Sequence, residues 1–500
     1  MGLFLGIDFG TSTNVVTRWD TAKKCAIPIP LGSFGAGEVF PNVIYYEKTK
    51  NGINTIVGDD AVQKGKPDPD NAVFAIKRSL ENSNFRKYIE NLGRNVSNEE
   101  VAADIFSWIK KNVEKAFGGE NVEGVVISVP FAFQNTERRR IEQAARRAGL
   151  QVFGLIEEPV AAALSFGIME KTESGKAEKI LVFDLGGGTF DVTIFDFQKH
   201  SKDKFYIRVL TTNGDKNLGG IDIDDMIVKK ISYIMKKNFP NYNLDRQPPA
   251  VITSDTFKMR QIAVALKESL STEDEENLFF YGYLGEKFYI DEVISQEDFD
   301  TWLQVFLTKI EDTLDDALLD ADLDREDIDR IIMVGGTSNI PAINEKVRDY
   351  FDKEPEQVGE LTIMVGEGAG IYCGLKYVEK SLDFDIAVGV SRAIGIKWSN
   401  DFVEMLPKNT IYGEPSQPKI ISLYDFTKDI SIDIVQGNRN DNYKVGSIQV
   451  TADIRQKLTN GKLGIKLNTD ADTGTVGYEL YSVKGKSQLD KLLTTGKAGE

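Results

Sequence analysis

The sequence predicts an α/β protein in which a long mixed region is followed by an antiparallel β domain. Through the first 380 residues, apolar strand segments alternate with amphipathic helical segments, which indicates packed α/β layers. Within that region a unit of strand, Gly-rich turn and strand occurs twice. Over the last 120 residues the pattern changes to apolar residues at every second position between Asn, Asp and Gly turns, the mark of half-buried strands.

Composition sets the bounds. The chain has 500 residues and is 41% hydrophobic, enough for roughly three domains at about 150 residues each. Sixty Lys and Arg against 77 Asp and Glu give a formal net charge of -17, a field that repels a polyphosphate backbone, so nucleic acid is not an expected partner. Cys25 and Cys373 stand far apart with no CxxC or Cys/His cluster, which argues against a disulfide framework and a zinc site and fits a reducing cytoplasm. The opening MGLFLGIDFG has no basic flank and too short an apolar run for a signal peptide, and no later stretch approaches 18 apolar residues. The expectation is a soluble cytoplasmic protein that does not bind membrane.

The first element, LFLGIDFGTSTNVVTRWD (3–20), reads as an apolar strand, Asp8, a glycine turn with threonines and a second strand; KILVFDLGGGTFDVTIFDF (179–197) repeats the plan around Asp184. Each is a hairpin whose turn lets backbone approach a ligand closely, because glycine has no Cβ to interpose. Successive N–H groups in such turns form a nest for an anion. One copy alone is also what an ordinary glycine hairpin looks like. Two copies, each with a carboxylate closing a strand, point to a polyphosphate, which two carboxylates would repel unless a divalent cation lay between. Oxygen ligands, phosphates and waters are what Mg²⁺ prefers. The expectation is a pair of phosphate clamps on a Mg-nucleotide, with Gly187 leaving room for phosphate and adopting positive φ.

Helices follow from their caps. SNEEVAADIFSWIKKNVEKAF opens with a Ser97–Glu100 capping box and places Val101, Ile105, Trp108, Ile109 and Val113 on one face. NVEGVVISVP (121–130) is a strand, followed by Asn135 as the expected N-cap of a helix that Gly149 ends. A second box, Ser295 with Asp298, starts a helix running to about Leu319, and IDRIIMVGGTSNIPAINEKVRDYF (328–351) is strand, Gly-Gly turn and helix. His200, the single histidine, falls in the charged stretch FQKHSKDK and reads as a solvated turn residue, which leaves no His-based triad or metal site.

The strings GIDFGTSTNVV, FAIKRSL, VISVPFAFQNTERRRIEQAARRAGL, EEPVAAALSFG, FDLGGGTFDVTIFDF, TTNGDKNLGGIDID and IIMVGGTSNIPAINEKV resemble, in order and at similar spacing, the ATPase domain of the DnaK/heat-shock-70 family. That resemblance implies two lobes of the actin/hexokinase/heat-shock-70 type over residues 1–380, with ATP in the cleft between them. It further implies that Gly10, Thr11, Ser12 and Thr13 form one phosphate loop and Gly186, Gly187, Gly188 and Thr189 the other. Asp8 and Asp184 would hold Mg²⁺, largely through waters, with Asp191 assisting. Lys77 matches the lysine that reaches the γ-phosphate and positions the attacking water, a role suited to a compact cation. Glu158 matches the carboxylate that orients the site, so the implied catalytic set is Lys77, Glu158, Asp184, Thr189 and Asp8. Gly219, Gly220, Gly335, Gly336, Thr337 and Asn339 match further nucleotide-binding positions, and Pro130 and Arg138 match the pair that senses nucleotide and relays its state. Lys267 and Ser271 match adenosine-contacting positions.

Several residues depart from the family pattern. Val264 stands where a glutamate is usual, Glu268 where many members have a basic or apolar residue, and Asn339 where an arginine is expected after GGTS. Losing a ribose-binding carboxylate and a stacking cation weakens adenine affinity without touching hydrolysis. Gly154 takes the place where an arginine commonly meets J-domain partners, which puts that co-chaperone contact in question.

Beyond a short linker (381–390), MLPKNT, DISIDIV with Ile430, Ile432 and Ile434, GKLGIKLN with Leu463, Ile465 and Leu467, and VGYELYSV resemble the family's substrate-binding β-sandwich over 391–485, followed by a tail (486–500) and no helical lid. Such a domain could hold an extended peptide by main-chain hydrogen bonds with pockets for alternate side chains, or its inward faces could simply fill its own core. The favoured function is an ATP-dependent chaperone acting on exposed apolar peptide segments, with co-chaperones or a nucleotide exchange factor as further partners. The alternatives are a specialised ATPase whose β domain docks a dedicated protein, a small-molecule kinase, or a filament-forming actin relative; the last two should lack the β appendix.

Overall fold

Two sheets of one plan carry the first part of the chain. In the first, Leu3–Phe9 pairs antiparallel with Thr13–Asp20 and parallel with Val122–Val129, which pairs parallel with Val152–Glu157; Cys25–Pro28 and Val39–Pro41 extend the hairpin side. In the second, Ala177–Leu185 pairs antiparallel with Phe190–Ser201 and parallel with Arg330–Val334, and Lys204–Asp215 continues the hairpin side. The echo in the sequence is thus an echo in topology, a hairpin extended on one side by strands that only a crossover can deliver in parallel. The computed structural model describes residues 2–498 apart from 33–36, 81, 83, 132, 168–170, 174, 202–203, 216, 357–361, 381–382, 388–389, 391, 400, 409, 424–428, 440–441 and 459–460.

The helices start where their caps place them. Asn98–Ala116 and Gln296–Ala321 both open with complete capping boxes, from Ser97 with Glu100 and from Ser295 with Asp298. Val101, Ile105, Ile109 and Val113 are buried in the first lobe, while Trp108 sits at the margin with its ring 5.7 Å from that of Phe40. Phe183, Phe190 and Val192 of the second hairpin are buried with Ile223, Ile227 and Leu314 in the core of the second lobe.

A third core joins the two sheets. It contains Val126 and Ile156 from the first, Ile180, Val182 and Ile332 from the second, and two helices, Glu158–Ser165 and Met364–Cys373. These helices meet backbone to backbone. A Cβ on Gly368 would stand 1.7 Å from the carbonyl oxygen of Ala161, and one on Gly370 would stand 2.3 Å from Thr17 Oγ1.

The C-terminal part is a β-sandwich. One sheet runs Asp401–Leu406, Ile394–Trp398, Ile430–Gly437, Asn442–Val450, and the other Lys419–Ser422, Lys462–Thr469, Val476–Lys484, Gln488–Lys497. Ile432, Ile434, Leu463, Ile465 and Leu467 are buried in a single core between them, as their alternation requires.

Four expectations change. Residues 381–390 are not a plain linker: Asp383–Ala387 forms a strand parallel to Lys204–Asp215, because that sheet edge offers unpaired backbone groups to any extended neighbour. Residues 486–500 are not a tail, since Gln488–Lys497 turns back at Gly485 (φ 64) and pairs with Val476–Lys484. His200 lies within the strand Phe190–Ser201 rather than in the turn, and its side chain is outside the described residues. Gln134, not Asn135, is the N-cap of Asn135–Arg147; the Asn135 side chain turns to the sandwich instead, where its Oδ1 accepts from the Val476 amide at 2.7 Å.

Gly368→Ala tests the joining core. Overpacking against a backbone carbonyl leaves little to relax, and a loss of about 3 kcal/mol is expected. The first calorimetric transition should drop by several degrees, whereas an unshifted transition would show that the helices can separate freely.

Candidate functional site

A cleft opens where the two hairpin turns face each other. Its lining brings together Asp8, Gly10, Thr11, Ser12, Thr13, Lys77, Glu158, Asp184, Gly186, Gly187, Gly188, Thr189, Gly335 and Gly336, with Thr362 and Val365 added from near the Met364–Cys373 helix. The second turn departs from the sequence expectation in its backbone and in what a Cβ there would meet. None of Gly186, Gly187 and Gly188 has a positive φ. A Cβ on Gly187 would stand 2.0 Å from Ser12 Oγ, and one on Gly188 would stand 2.5 Å from Thr11 Cγ2. The turns of the two lobes touch, and side chains there would wedge the clamp open.

Charge at the floor of the cleft is concentrated and enclosed. Lys77, 6% exposed, donates from Nζ to Glu158 Oε1 at 2.5 Å. Burial would push its ammonium down, but Glu158 and then Asp8 outweigh it and hold the pKa above the usual lysine value. Asp8, the penultimate residue of the strand Leu3–Phe9, accepts from Ser128 Oγ at 2.6 Å. Burial lifts its carboxyl to about 6, with Lys77 pulling it down and Glu158 pushing it up. Asp184 is raised well above the carboxylate range by burial and by Glu158, Asp191 and Asp8; Asp191 lies directly across the hairpin from it. Among the described residues no cluster of three or more His, Cys, Asp or Glu side chains can hold a metal ion unaided. Two enclosed carboxylates that resist ionisation still fit a divalent cation completed by phosphates and water.

The remaining expected residues form the wall beside the second turn. The Gly220 amide donates to Gly186 O at 3.0 Å and Thr337 Oγ1 to the same oxygen at 2.9 Å, while Gly219 packs on Gly188. Lys267 is held by Asp224 at 2.7 Å, Ser271 Oγ donates back to Lys267 O, and Asn339 Nδ2 donates to Gly336 O. None of these six residues, nor Asp191, lines the cleft floor.

From the floor a connection runs to the sandwich. Glu157, next to Glu158, accepts from Arg138 Nη2 at 2.7 Å. Arg138 is 2% exposed; it also donates to Thr473 O at 3.4 Å and lies 5.2 Å from the centre of the Tyr412 ring. Pro130 is buried, and its carbonyl accepts from the Phe133 amide at 3.0 Å. Gly154 meets the same surface, since the Leu155 amide donates to Asp472 O at 2.8 Å, and the Asp472 carboxylate accepts from Lys376 and Tyr377 at 2.8 Å each.

Sequence reasoning passed over three residues. Ser128 fixes the Asp8 carboxylate, Asn42 donates from Nδ2 to Gly10 O, and Arg78 reaches Gly188 O and Asp222. Arg78 stands inside the FAIKRSL string, next to the lysine that carried the resemblance, and Asn42 has no local signal.

Two outcomes follow from this geometry. Gly187→Ala should weaken nucleotide binding in a calorimetric titration while circular dichroism stays intact, and Ser12→Gly in the same chain should recover part of it by making room; near-normal affinity of Gly187→Ala alone would refute the contact. For Asp8, a pKa raised from 3.8 to about 6 means that its contribution to stability is complete below about pH 4 and lost as pH rises through 6. Asp8→Asn removes that loss, so without nucleotide or divalent cation it should unfold above the parent at pH 7.5, by up to about 3 kcal/mol, with the gap closing below pH 4. A gap independent of pH would sink this reading.

Comparison with known proteins agrees with the architecture. The family model described as Hsp70 protein matches residues 4–477, which include most of the sandwich. The chain is 30% identical over 509 residues to the "Chaperone protein DnaK" of Nitrosopumilus maritimus (strain SCM1), covering 98% of this chain and 77% of that one. It is 29% identical over 460 residues to that of Mycoplasmopsis synoviae (strain 53), covering 90% and 72%, and 29% identical over 517 residues to that of Elusimicrobium minutum (strain Pei191), covering 98% and 78%. A duplicated hairpin sheet around a charged cleft, continued into a β-sandwich and matched along nearly its whole length, makes this chain a member of the Hsp70 family.

Proposed function

We propose that this protein is a chaperone that hydrolyses ATP in the cleft and binds extended apolar peptide through its sandwich. The observation that carries the reading is the buried Lys77–Glu158 pair, set between the two turns and backed, one residue along, by Glu157 and Arg138. ATP would lie with its phosphates between residues 10–13 and 186–189, and the ATPase domain would be residues 1–380. Asp8 and Asp184, with Asp191 behind them, would hold Mg²⁺ largely through water. When bound, that ion supplies positive charge against the phosphates.

The chain's own groups do the rest. Lys77 presents a fixed ammonium where charge develops on the γ-phosphate and positions the attacking water, and Glu158 holds that ammonium in place and protonated. Thr189 closes the second turn, and Gly219, Gly220, Gly335, Gly336, Thr337 and Asn339 support it. Lys267 and Ser271 would face the adenosine, Lys267 only after loosening its pair with Asp224. Arg138 would report the state of the cleft to the sandwich, where peptide adds main-chain hydrogen bonds. Unfolded peptide segments are the proposed partners, together with co-chaperones, in the cytoplasm; among the described residues no helix is long and apolar enough to cross a membrane.

Lys77→Ala tests the reaction. ATP should still bind, and single-turnover hydrolysis should slow by roughly 10² to 10³, the cost of one contact made to developing charge. Unchanged single-turnover hydrolysis would overturn the assignment. A labelled apolar peptide should leave faster with ATP than with ADP, by a coupling of about 1 to 3 kcal/mol. Equal rates in both nucleotide states would leave the two parts uncoupled.

A further inference from the structure

Arg78 is the side chain that joins the two clamps. It follows Lys77 in the turn Ile76–Ser79, whose entry residue Ala75 has a left-handed φ of 48°. That strained entry is held by the first lobe: the Ala75 amide donates to Asn42 O at 3.1 Å, the Asn42 amide to Ser12 O at 2.7 Å, and Asn42 Nδ2 to Gly10 O. From this anchored turn the Arg78 guanidinium crosses to the second lobe. Nη2 donates to the carbonyl oxygen of Gly188 and, at 2.9 Å, to Asp222 Oδ2 in the first turn of the helix Gly220–Asn238. Among the described residues its buried Nε has no protein acceptor, and these two contacts, both made by Nη2, hold the group. Lys66 lies 5.9 Å from the centre of the Phe257 ring, a weaker contact.

We infer that Arg78 is a positioning residue that gates nucleotide release: the lobes cannot part without breaking its bonds to Gly188 and Asp222. The inference rests on the reading of the cleft as an ATP site and extends it to the step after hydrolysis. It gains weight from the wall around the adenosine position. There Val264 and Asn339 carry no charge and the Lys267 ammonium is engaged by Asp224, so retention falls to the contacts that keep the clamps together. Arg78 does not line the cleft floor, so its effect runs through the second turn and not through the reacting atoms.

The test is stopped-flow release of fluorescent N-methylanthraniloyl-ADP from the full chain, beside single-turnover hydrolysis of prebound ATP. Losing a charge-assisted hydrogen bond of this kind changes a rate by about tenfold or more. Arg78→Ala and Asp222→Asn should each speed release by about that factor while slowing hydrolysis by a smaller one, and the double variant should release no faster than the faster single. Arg78→Lys, which keeps the charge but lacks the planar guanidinium that sets both donors of Nη2, should fall between parent and Arg78→Ala. If Arg78→Ala does not fold, Asp222→Asn and Arg78→Lys give the same readout. Release at the parent rate in the variants, or effects of Arg78 and Asp222 that multiply, would overturn the gate. A parent chain that binds no fluorescent nucleotide would instead overturn the ATP site on which the gate rests.

Discussion

The crossing of two helices, with Gly368 laid against the carbonyl of Ala161, is the constraint on which the rest of this structure depends. A contact that close lets Met364–Cys373 touch both the first sheet, at Val15 and Thr17, and the helix Glu158–Ser165. The second helix starts at Glu158 directly after the strand Val152–Glu157, so fixing it fixes where the Glu158 carboxylate emerges. Sheet, helix and carboxylate are one rigid series. The floor of the cleft inherits its precision from that packing rather than from the turns above it.

On that floor, electrostatics sets a tension that the fold does not relieve. One lysine faces Glu158, Asp8 and Asp184, and the two aspartates hold their protons more tightly than free carboxyls do. Enclosed like charges disfavour ionisation, and perturbed groups of this kind gather where chemistry is done. The same arrangement makes the two aspartates costly to keep ionised at neutral pH.

The sandwich is part of the same construction. Asn135 and Arg138 sit on the first lobe yet reach Val476 and Thr473, and Gly154 leaves a flat surface on which the backbone of Asp472 rests. Lys376 and Tyr377, at the end of the joining helix region, bind the Asp472 carboxylate. Asp383–Ala387 extends the second sheet on its way to the sandwich. Glu157 and Glu158, adjacent in the chain, face the two ends of this path, one toward Arg138 and the other toward Lys77.

The sequence by itself determined what is local. Both hairpins, the Ser97 and Ser295 caps, the end of a helix at Gly149 and the alternation at Ile432, Ile434, Leu463 and Ile465 are encoded within a few residues of where they act, through caps, periodicity and the left-handed φ of 76° at Gly149. Only the tertiary structure decided what is distant. Glu158 meets Lys77 across 81 residues of chain, Arg78 meets Asp222 across 144, and Asn135 meets Val476 across 341. Nothing local in Asn135 distinguishes a cap from a side chain that turns to another domain. The glycines at 187 and 188 show the division most clearly: the run was legible as a place where a Cβ cannot stand, but that the obstacle is Ser12 and Thr11 of the opposite turn follows only when the two lobes are packed together. The strands Asp383–Ala387 and Gln488–Lys497 were missed for the same reason, because a strand of weak alternation is made by the open edge beside it.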